Sequence, residues 1–414
     1  MAGGESDRRL SDFTETGIYH FDDAGAFFVD SVRVLNRFYT RFRVSPSAYY
    51  SRFFPAADNG NNPPRKRKRG GKEINTPQNL NSREKIAEQR HQEARRVLLK
   101  AHEAFLGAGQ LLQVLPHLRN DTEERNGESF PRKNEINFVE LGSVWQAPFY
   151  EISFKDEDGN RSAETAAGDE SRRVARVFGN FVANEGSDDI EAEFLGHEYI
   201  LPKESCFYMS DLRQIHNLIP AESDNGFNLI VIDPPWENSS AHQKQIYQTL
   251  PNRYFLSLPI KQLTHTDGAL IVLWVTNREK LRSFVENELF PKWGVERIAT
   301  FYWLKVKPHG SMISELDLFH HKPYECLLLG FSRGKEMNSE MGVDRIPDNQ
   351  VVVSIPGSYS RKPPIGEVLL DYYVPELRRG RRVELFGREM MGGWTSWGNE
   401  PLHFQDSIYF VRKT

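Results

Sequence analysis

The sequence predicts an α/β protein whose main element is a Rossmann-like, doubly wound sheet with helices on both faces. From Glu204 onward, short apolar segments of strand length alternate with segments of helical periodicity, which is the pattern of such a sheet. Residues 136–202 alternate apolar and polar positions like antiparallel strands, and residues 82–116 have helical spacing. We therefore expect three parts: an N-terminal region with one long helix (1–133), a β-rich middle domain (134–203) and the Rossmann-like domain (204–414).

The composition favours a soluble intracellular protein. Of the 414 residues 39% are hydrophobic and 12% aromatic, which is enough for a sizeable core. The 53 basic and 57 acidic residues give a net charge of −4, so any nucleic-acid footprint must be local. The two cysteines form neither a disulfide framework nor a Cys-x-x-Cys motif, which fits a reducing compartment. No secretory signal is expected at the N-terminus, and the longest apolar stretches, such as Ala269–Val275, are too short to span a bilayer.

A short basic segment lies in a predicted linker of the N-terminal region. Residues 59–71 are rich in Asn, Pro and Gly and contain the run Arg65–Arg69. Such a run is typical of a nuclear localisation signal or a nucleic-acid patch, and a solvated charge run is the alternative. We expect import into the nucleus, with the cytoplasm as a second location.

The N-terminal region also has dense aromatic residues and one strong helix pattern. Residues 27–54 combine Phe and Tyr with arginines, and packing is a better interpretation of them than RNA contact. Asn81 followed by Glu84 predicts a capped start for the helix 82–116, with a break at 107–109. Its basic face could touch an RNA backbone, but an amphipathic helix more commonly docks on a neighbouring element.

The C-terminal part contains the predicted α/β alternation. The strands expected there are 206–209, 227–232, 269–275, 297–306, 325–331, 350–354 and 382–386, and the helices are about 242–256, 278–289 and 365–373. No Gly-x-Gly-x-x-Gly motif follows an early strand, which argues against an NAD-type start.

One of these strands leads into the tetrapeptide Asp-Pro-Pro-Trp. Leu229–Ile232 is a continuous apolar run typical of a buried central strand, and Asp233 follows where that strand ends. Ligands of open α/β sheets bind just outside such carboxyl ends. Pro234 and Pro235 lack a backbone N–H and have a fixed φ. We predict a stiff site that offers only acceptor oxygens beside the flat face of Trp236, and a rigid turn without a ligand is the alternative.

An acceptor-only site with a stacking face suits the exocyclic amine of adenine. That nitrogen is a poor nucleophile, because its lone pair is delocalised into the ring. A carboxylate and a carbonyl that each accept one amine hydrogen would localise the lone pair and stabilise the positive charge that develops during attack. Stacking on an aromatic ring would hold the base with roughly 1–3 kcal/mol.

The tetrapeptide after a buried strand resembles the signature of the MT-A70 family of adenine-N6 methyltransferases. Within this family the chain is most similar to the methyltransferase-like-protein-four subgroup, in its plant type. The resemblance covers about residues 194–414. The further segments that support it are Leu273–Asn277, Lys322–Glu325, Lys362–Pro364, Glu384–Arg388 and Trp394–Glu400.

A second strand end is the expected cofactor side. Glu384, Phe386 and Gly387 place a carboxylate, a ring and a glycine at one strand end, where the carboxylate can accept hydrogen bonds from ribose hydroxyls. The resemblance implies S-adenosylmethionine as the cofactor. The residues it implies for cofactor binding are Asp211, Leu212, Asp233, Lys362, Glu384, Phe386, Arg388, Asn399 and Glu400. For Asp211, capping of the next helix is an equally good interpretation.

The target side is expected on the loops that follow other strands. Residues 237–253 and 307–321 are long and polar and are the predicted gates over the target base. Lys362 and Glu325 match family positions near both ligands, and a simple surface ion pair is the alternative. His320, His321 and Cys326 lack the spacing of a zinc site, so no metal is expected.

These features together predict the following reaction. The target adenine leaves its stack and enters a pocket beside Asp233. The catalytic residues are Asp233, Pro234, Pro235 and Trp236, and the residues that bind the base and its nucleotide are Trp236, Glu325 and Lys362. The resemblance implies an RNA substrate, with 2′-O-methyladenosine of U2 small nuclear RNA as the target, DNA adenine as the alternative, and activity as a monomer. The rival from another class is a non-catalytic nucleic-acid-binding scaffold, and the intact tetrapeptide argues against it.

Overall fold

The structure of the protein is a computed structural model, which describes residues 2–50, 81–119, 135–155, 173–237, 249–318, 322–335 and 342–413. The basic run Arg65–Arg69 and the pair His320 and His321 lie outside the described residues.

The described residues form seventeen strands in three sheets. In chain order they are β1 (Ile18–Phe21), β2 (Ala26–Val29), β3 (Phe42–Val44), β4 (Glu151–Phe154), β5 (Val174–Arg176), β6 (Phe181–Asn184), β7 (Ile190–Phe194), β8 (His197–Leu201), β9 (Ser205–Met209), β10 (Leu229–Ile232), β11 (Ala269–Val275), β12 (Val295–Lys305), β13 (Tyr324–Ser332), β14 (Gln350–Ser354), β15 (Arg382–Leu385), β16 (Trp394–Gly398) and β17 (Phe410–Arg412).

The largest sheet has eleven strands and is mostly parallel. Its order is β1-β2-β14-β12-β13-β11-β10-β15-β16-β9-β6. Strands β11, β10, β15, β16 and β9 run parallel to one another, whereas β13 is antiparallel to both β11 and β12, and β6 is antiparallel to β9. Every residue of β10 and β11 is buried, as their unbroken apolar sequences predict.

The helices cover both faces of this sheet. They are α1 (Ala2–Thr16), α2 (Ser31–Asn36), α3 (Pro46–Tyr49), α4 (Ser82–Gly107), α5 (Gly109–Val114), α6 (Phe138–Ser143), α7 (Ile260–Leu263), α8 (Glu279–Phe284), α9 (Phe290–Trp293) and α10 (Ile365–Tyr372). Alternate residues of β10 face different cores: Val231 packs in the core that contains α4 and α10, and Ile232 in the one that contains α7 and α8. No described helix is long and apolar enough to cross a membrane.

The predicted long helix is present and starts as the sequence indicates. Asn81 and Glu84 form a capping box ahead of α4, and the helix breaks at Ala108 before α5 begins. Where an α-helix was predicted at 242–256, the structure has a 3₁₀ helix at residues 252–257. Residues 242–248 lie outside the described part. Strand β16 was not predicted, because its sequence Trp-Thr-Ser-Trp-Gly is not an apolar run.

The three parts of the chain share strands across the predicted boundaries. Strands β1 and β2 extend the central sheet beyond β14, and β6 pairs with β9 at the opposite end. Strand β3 pairs with β17 near the C-terminus. The other middle strands form their own four-stranded sheet in the order β5-β4-β7-β8. The aromatic residues between 27 and 50 pack in the same core as β10 and β11, as the packing interpretation predicts, and Phe53 and Phe54 lie outside the described residues.

Candidate active site

Four parallel strands end side by side, and each is followed by predicted site residues. Asp233 follows β10, Phe386 follows β15, Asn399 follows β16, and Asp211 lies two residues after β9. Because β10, β15, β16 and β9 are neighbours in this order and run parallel, these residues lie along one edge of the sheet. The carboxyl edge of an open sheet is where its ligands bind.

A cavity opens between the ends of β10 and β15 and the segment before α10. Its volume is about 50 Å³, well below the ~300–1,000 Å³ of small-molecule sites, so a nucleoside-sized ligand would extend into the open mouth. Asp233, Glu384, Phe386 and Arg388 all line it. The other lining residues are Leu35, Val231, Trp274, Arg361, Lys362, Pro363, Pro364, Ile365, Gly366, Glu389, Met391 and Phe404.

Asp233 belongs to a chain of alternating charges at this cavity. The Lys362 ammonium lies 3.3 Å from the Asp233 carboxylate and 3.4 Å from that of Glu325. Lys305, at the end of β12, donates a further hydrogen bond to Glu325. Burial alone would raise the pKa of Glu325, but Lys305 and Lys362 lower it to about 2. Burial would lower the pKa of Lys362, and Asp233 with Glu325 raises it instead. Glu325 and Lys362 are therefore both charged at neutral pH.

Two indole rings lie next to the ammonium groups of this network. The Nζ atom of Lys362 lies 5.6 Å from the ring centroid of Trp274, and that of Lys305 lies 4.3 Å from that of Trp303. Such cation–π contacts fix the direction of both lysines in a partly dehydrated site.

Glu384 is the second carboxylate of the cavity and is in a different electrostatic situation. It is paired with Val231 in the β10–β15 register, two residues before Asp233. Burial, followed by the charges of Asp233 and Glu389, raises the pKa of Glu384 to about 8, although Arg388 opposes this. No hydrogen bond or ion pair to Glu384 is present among the described residues. A carboxyl group of this kind is available to a ligand that brings donors or positive charge.

The raised pKa of Glu384 predicts a pH dependence of stability. The unfolded side chain has a pKa near 4.5 and the folded one about 8, so the folded state binds one more proton between these values. Stability from this group is complete below about pH 4.5 and is lost as the pH rises towards 8. We expect the free energy of unfolding to fall by up to about 1.4 kcal/mol per pH unit in this range. Urea titrations of the wild type and Glu384→Gln would measure it, and identical pH profiles would contradict the prediction.

The two prolines and Trp236 differ from the predicted open platform. The Pro234 carbonyl accepts a hydrogen bond from the Trp236 N–H at 2.7 Å, which leaves it one lone pair. Trp236 is 6% exposed, contacts Phe255 edge to face at 5.0 Å, and donates its indole N–H to the Trp274 carbonyl. Trp236 therefore offers no free face for stacking a base, because its indole packs on Phe255 and is hydrogen-bonded to β11.

The segment after β15 follows an unusual backbone path. Phe386 has φ 65°, and its ring packs edge to face on Trp397 and Phe255. A left-handed conformation is costly for an aromatic residue, so the surrounding packing must enforce it. The turn directs Arg388 along the cavity, where its guanidinium donates a hydrogen bond to the Tyr359 carbonyl at 2.9 Å.

The remaining predicted cofactor residues lie along the same edge but outside the cavity lining. Asp211 caps the 3₁₀ helix Leu212–Leu218 by accepting a hydrogen bond from the Arg213 N–H at 2.8 Å. Asn399 is exposed, and burial raises the pKa of Glu400. The Ser210 N–H bonds the Gly398 carbonyl, which brings the two loops together. The capping role of Asp211 is therefore present, and the Arg213 guanidinium binds the second carboxylate oxygen.

Sequence reasoning missed several residues of the site. Lys305 and Trp303 come from β12, and nothing in that strand's sequence indicates that they face Glu325. Leu35 reaches the cavity from α2. Arg361 is buried between the rings of Tyr49 and Phe404, at 4.2 and 4.0 Å. No local sequence signal could have found these residues, because each reaches the site from a distant segment of the chain.

The arginine cluster 378–382 lies at the other edge of the sheet. Arg382 is the first residue of β15, whereas the cavity is at its end. Arg378 pairs with Asp371, and Arg381 and Arg382 donate hydrogen bonds to backbone carbonyls. A phosphate contact in the site does not fit this position. No group of His, Cys, Asp and Glu that could hold a metal ion occurs among the residues that the structure describes.

Comparisons with known proteins agree on one family. The MT-A70 family model matches residues 227–400. The chain is 40% identical to the N(6)-adenine-specific methyltransferase METTL4 of Mus musculus over 235 residues, which are 56% of this chain and 49% of that protein. It is 33% identical to the N6-methyladenosine RNA methyltransferase MTA1 of Pyricularia oryzae over 222 residues, which are 51% and 57% of the two chains.

A third relative is named for another nucleic acid. The DNA N6-methyl methyltransferase of Caenorhabditis elegans is 33% identical over 220 residues, which are 52% of this chain and 57% of that protein. The chain thus spans about half the length of the curated relatives that it matches.

Proposed function

Because residues 227–400 match the MT-A70 family model, we propose that this protein is an S-adenosylmethionine-dependent adenine-N6 methyltransferase that acts on RNA. The observation that supports it most is the position of Asp233. Its carboxylate stands at the end of a buried strand, in a cavity that also contains Glu384 and Arg388.

In the proposed reaction Asp233 and Pro234 act on the adenine amine. The Asp233 carboxylate accepts one amine hydrogen, and the free lone pair of the Pro234 carbonyl accepts the other. Both contacts strengthen as positive charge develops on the nitrogen, which is the electrostatic contribution that usually dominates catalysis. Lys362, itself held by Glu325, keeps the Asp233 carboxylate in place, so little free energy is lost in reorienting it when the base enters.

The residues at the cavity fit the proposed cofactor. The Glu384 carboxyl and the Asp233 carboxylate can accept hydrogen bonds from an amino group and from ribose hydroxyls, and Lys362 and Arg388 can bind a carboxylate. Leu212, Asp211, Asn399 and Glu400 would hold the adenosine part along the rim. Bound S-adenosylmethionine supplies the electrophilic methyl group. Holding it in line with the nitrogen can lower the barrier by roughly 7–11 kcal/mol.

We expect Glu384→Ala to weaken cofactor binding. The change removes a carboxyl that has no partner among the described residues, so its cost falls mainly on the bound state. Calorimetry with S-adenosylmethionine should show an increase in Kd of about tenfold, as for the loss of one hydrogen bond. Glu376→Ala, which removes a carboxylate paired with Arg345 at the surface, is the matched control. An unchanged Kd for Glu384→Ala would refute the assigned contact.

The proposed target is 2′-O-methyladenosine in U2 small nuclear RNA, and the proposed location is the nucleus. The named relatives support RNA through the fungal enzyme and support DNA adenine as the second candidate through the worm enzyme. A catalytically inactive scaffold is the candidate from another class, against which the intact Asp-Pro-Pro-Trp segment argues.

One assay separates these candidates. Purified protein is incubated with methyl-labelled cofactor and matched oligonucleotides of RNA, RNA with 2′-O-methyladenosine, and single-stranded DNA. Label on N6 of the 2′-O-methylated RNA at the highest rate supports the proposal. A preference for the DNA oligonucleotide would make DNA adenine the substrate instead. Binding of the oligonucleotides without methyl transfer to any of them would favour the scaffold.

A further inference from the structure

Helix α4 lies outside the matched family domain, yet it contacts the target side of the site by polar groups. Its apolar residues Ala94, Leu98, Ala101 and Phe105 are buried in the core, which explains why it docks. Docking does not explain the row of hydrogen bonds from its other positions to the loop after β12 and to the first residue of β13.

The row is centred on His91, which is 4% exposed. Its Nδ1 atom lies 3.0 Å from the Tyr324 hydroxyl, and the two rings are nearly parallel at 6.0 Å. Its Nε2 atom lies 3.4 Å from the Asp317 carboxylate, which Arg95 also binds at 2.8 Å. A carboxylate only accepts, so Nε2 carries the proton of the neutral ring and Nδ1 accepts from the tyrosine.

A second set of contacts holds the turn of the same loop. His102 contacts the Gly310 carbonyl at 2.9 Å. Gly310 has φ +91°, and a Cβ atom there would meet the side chains of Leu106 and Leu112 at 3.1 and 3.3 Å. The loop therefore fits closely against the end of α4 and the start of α5.

Both held segments adjoin the charge network. The loop leaves β12 directly after Lys305, and Tyr324 immediately precedes Glu325. Asn277 donates a further hydrogen bond to the Tyr324 carbonyl. Lys305 and Glu325, which hold Lys362 beside Asp233, are thus attached to a backbone whose position α4 determines.

We propose that α4 is a positioning element of the active site, and that His91, through Tyr324, sets the orientation of Glu325 and so of the Lys362–Asp233 pair. This inference rests on the proposed function. His91 and Tyr324 touch no reacting atom. Their effect is on how well Asp233 is aligned when the base is bound.

The test uses the full-length chain with Tyr324→Phe, which removes one oxygen, and with His91→Ala and His91→Asn. Cofactor binding by calorimetry gives the fraction of folded, binding-competent molecules, and kcat is expressed per such molecule. We expect Tyr324→Phe and His91→Ala to lower this kcat fivefold to tenfold, the effect of one buried hydrogen bond. The double variant should lose no more than either single one, and His91→Asn, whose amide replaces Nδ1, should recover most of the rate.

The control is Arg90→Ala on the same helix. Arg90 pairs with Glu279 and Glu286 of the α8 region and contacts neither the loop nor Tyr324, so it reports the cost of weaker docking alone. If His91→Ala and Tyr324→Phe lower kcat per competent molecule no more than Arg90→Ala, or if their effects simply multiply, the inference is overturned.

Hydrogen exchange provides a readout that does not need activity. Amides of residues 307–318 and 322–328 should exchange faster in His91→Ala than in Arg90→Ala. A wild type that transfers no methyl group would defeat the proposed function, and the exchange rates would then decide this inference by themselves. Unchanged exchange in these segments overturns it.

Discussion

Asp233→Asn is expected to lower kcat by about 10²–10³-fold or more while cofactor binding persists. The amide keeps the shape of the side chain but loses the charge that stabilises the developing positive nitrogen, and loss of one preorganised electrostatic contact costs about this much. Single-turnover transfer to the RNA oligonucleotide measures the effect, and calorimetry measures the cofactor Kd. We expect that Kd to change by less than tenfold.

The control for this change is Asp22→Asn, an exposed carboxylate in the N-terminal region that pairs with Arg9. Transfer by Asp233→Asn within threefold of the wild type would remove Asp233 from the mechanism. Loss of cofactor binding in step with transfer would instead assign the carboxylate to the cofactor alone.

Lys362→Met should impair both stability and transfer. The change leaves Asp233 without its cation and Glu325 with Lys305 only. Removing one partner of a fully buried ion pair costs roughly 3–5 kcal/mol. Because the three side chains are 15%, 22% and 21% exposed, we expect a smaller loss, about 2 kcal/mol, in the free energy of unfolding. We also expect a drop in kcat of about 10²-fold, since Asp233 loses its orientation.

Urea unfolding and steady-state kinetics at one pH measure these two effects. Lys362→Arg keeps the charge with a larger head group and should restore most of the stability but less of the rate, since the alignment differs. A stable but inactive Lys362→Met would mean that the network serves catalysis only. A variant as active as the wild type would make Lys362 a surface ion pair, the alternative that the sequence leaves open.

The central strands could be predicted because they are buried on both faces. Apolar runs such as those of β10 and β11 have no other stable position in a folded protein, and their ends then place Asp233 and Phe386. Strand β16 carries the same burial with Trp, Thr, Ser and Gly, whose polar groups are satisfied by specific partners. The Trp397 indole N–H, for example, bonds the Ser210 hydroxyl at 3.0 Å. Such hydrogen bonds between distant residues depend on the tertiary structure and leave no periodic pattern in the sequence.

The site was predictable where its residues follow strands directly and hidden where distant segments meet. Asp233 and Glu384 come from two adjacent strand ends, so local sequence predicts them, whereas Arg388 was implied by the resemblance to the MT-A70 family. The burial of Trp236 depends on Phe255 and on the Trp274 carbonyl, which lie 19 and 38 residues away in sequence. Lys305 reaches Glu325 only because β13 turns back antiparallel to β12. A sequence without a known register does not contain these contacts.

The pairing of β2 with β14 has a practical consequence for truncated versions of this protein. A fragment that begins at residue 204 would expose the backbone of Val351, Val352 and Val353, which β2 otherwise covers in register. An open row of unpaired amides on an apolar strand is a template for self-association. We expect such a fragment to precipitate or to oligomerise during purification, so an inactive preparation of it would say nothing about the chemistry of the intact chain.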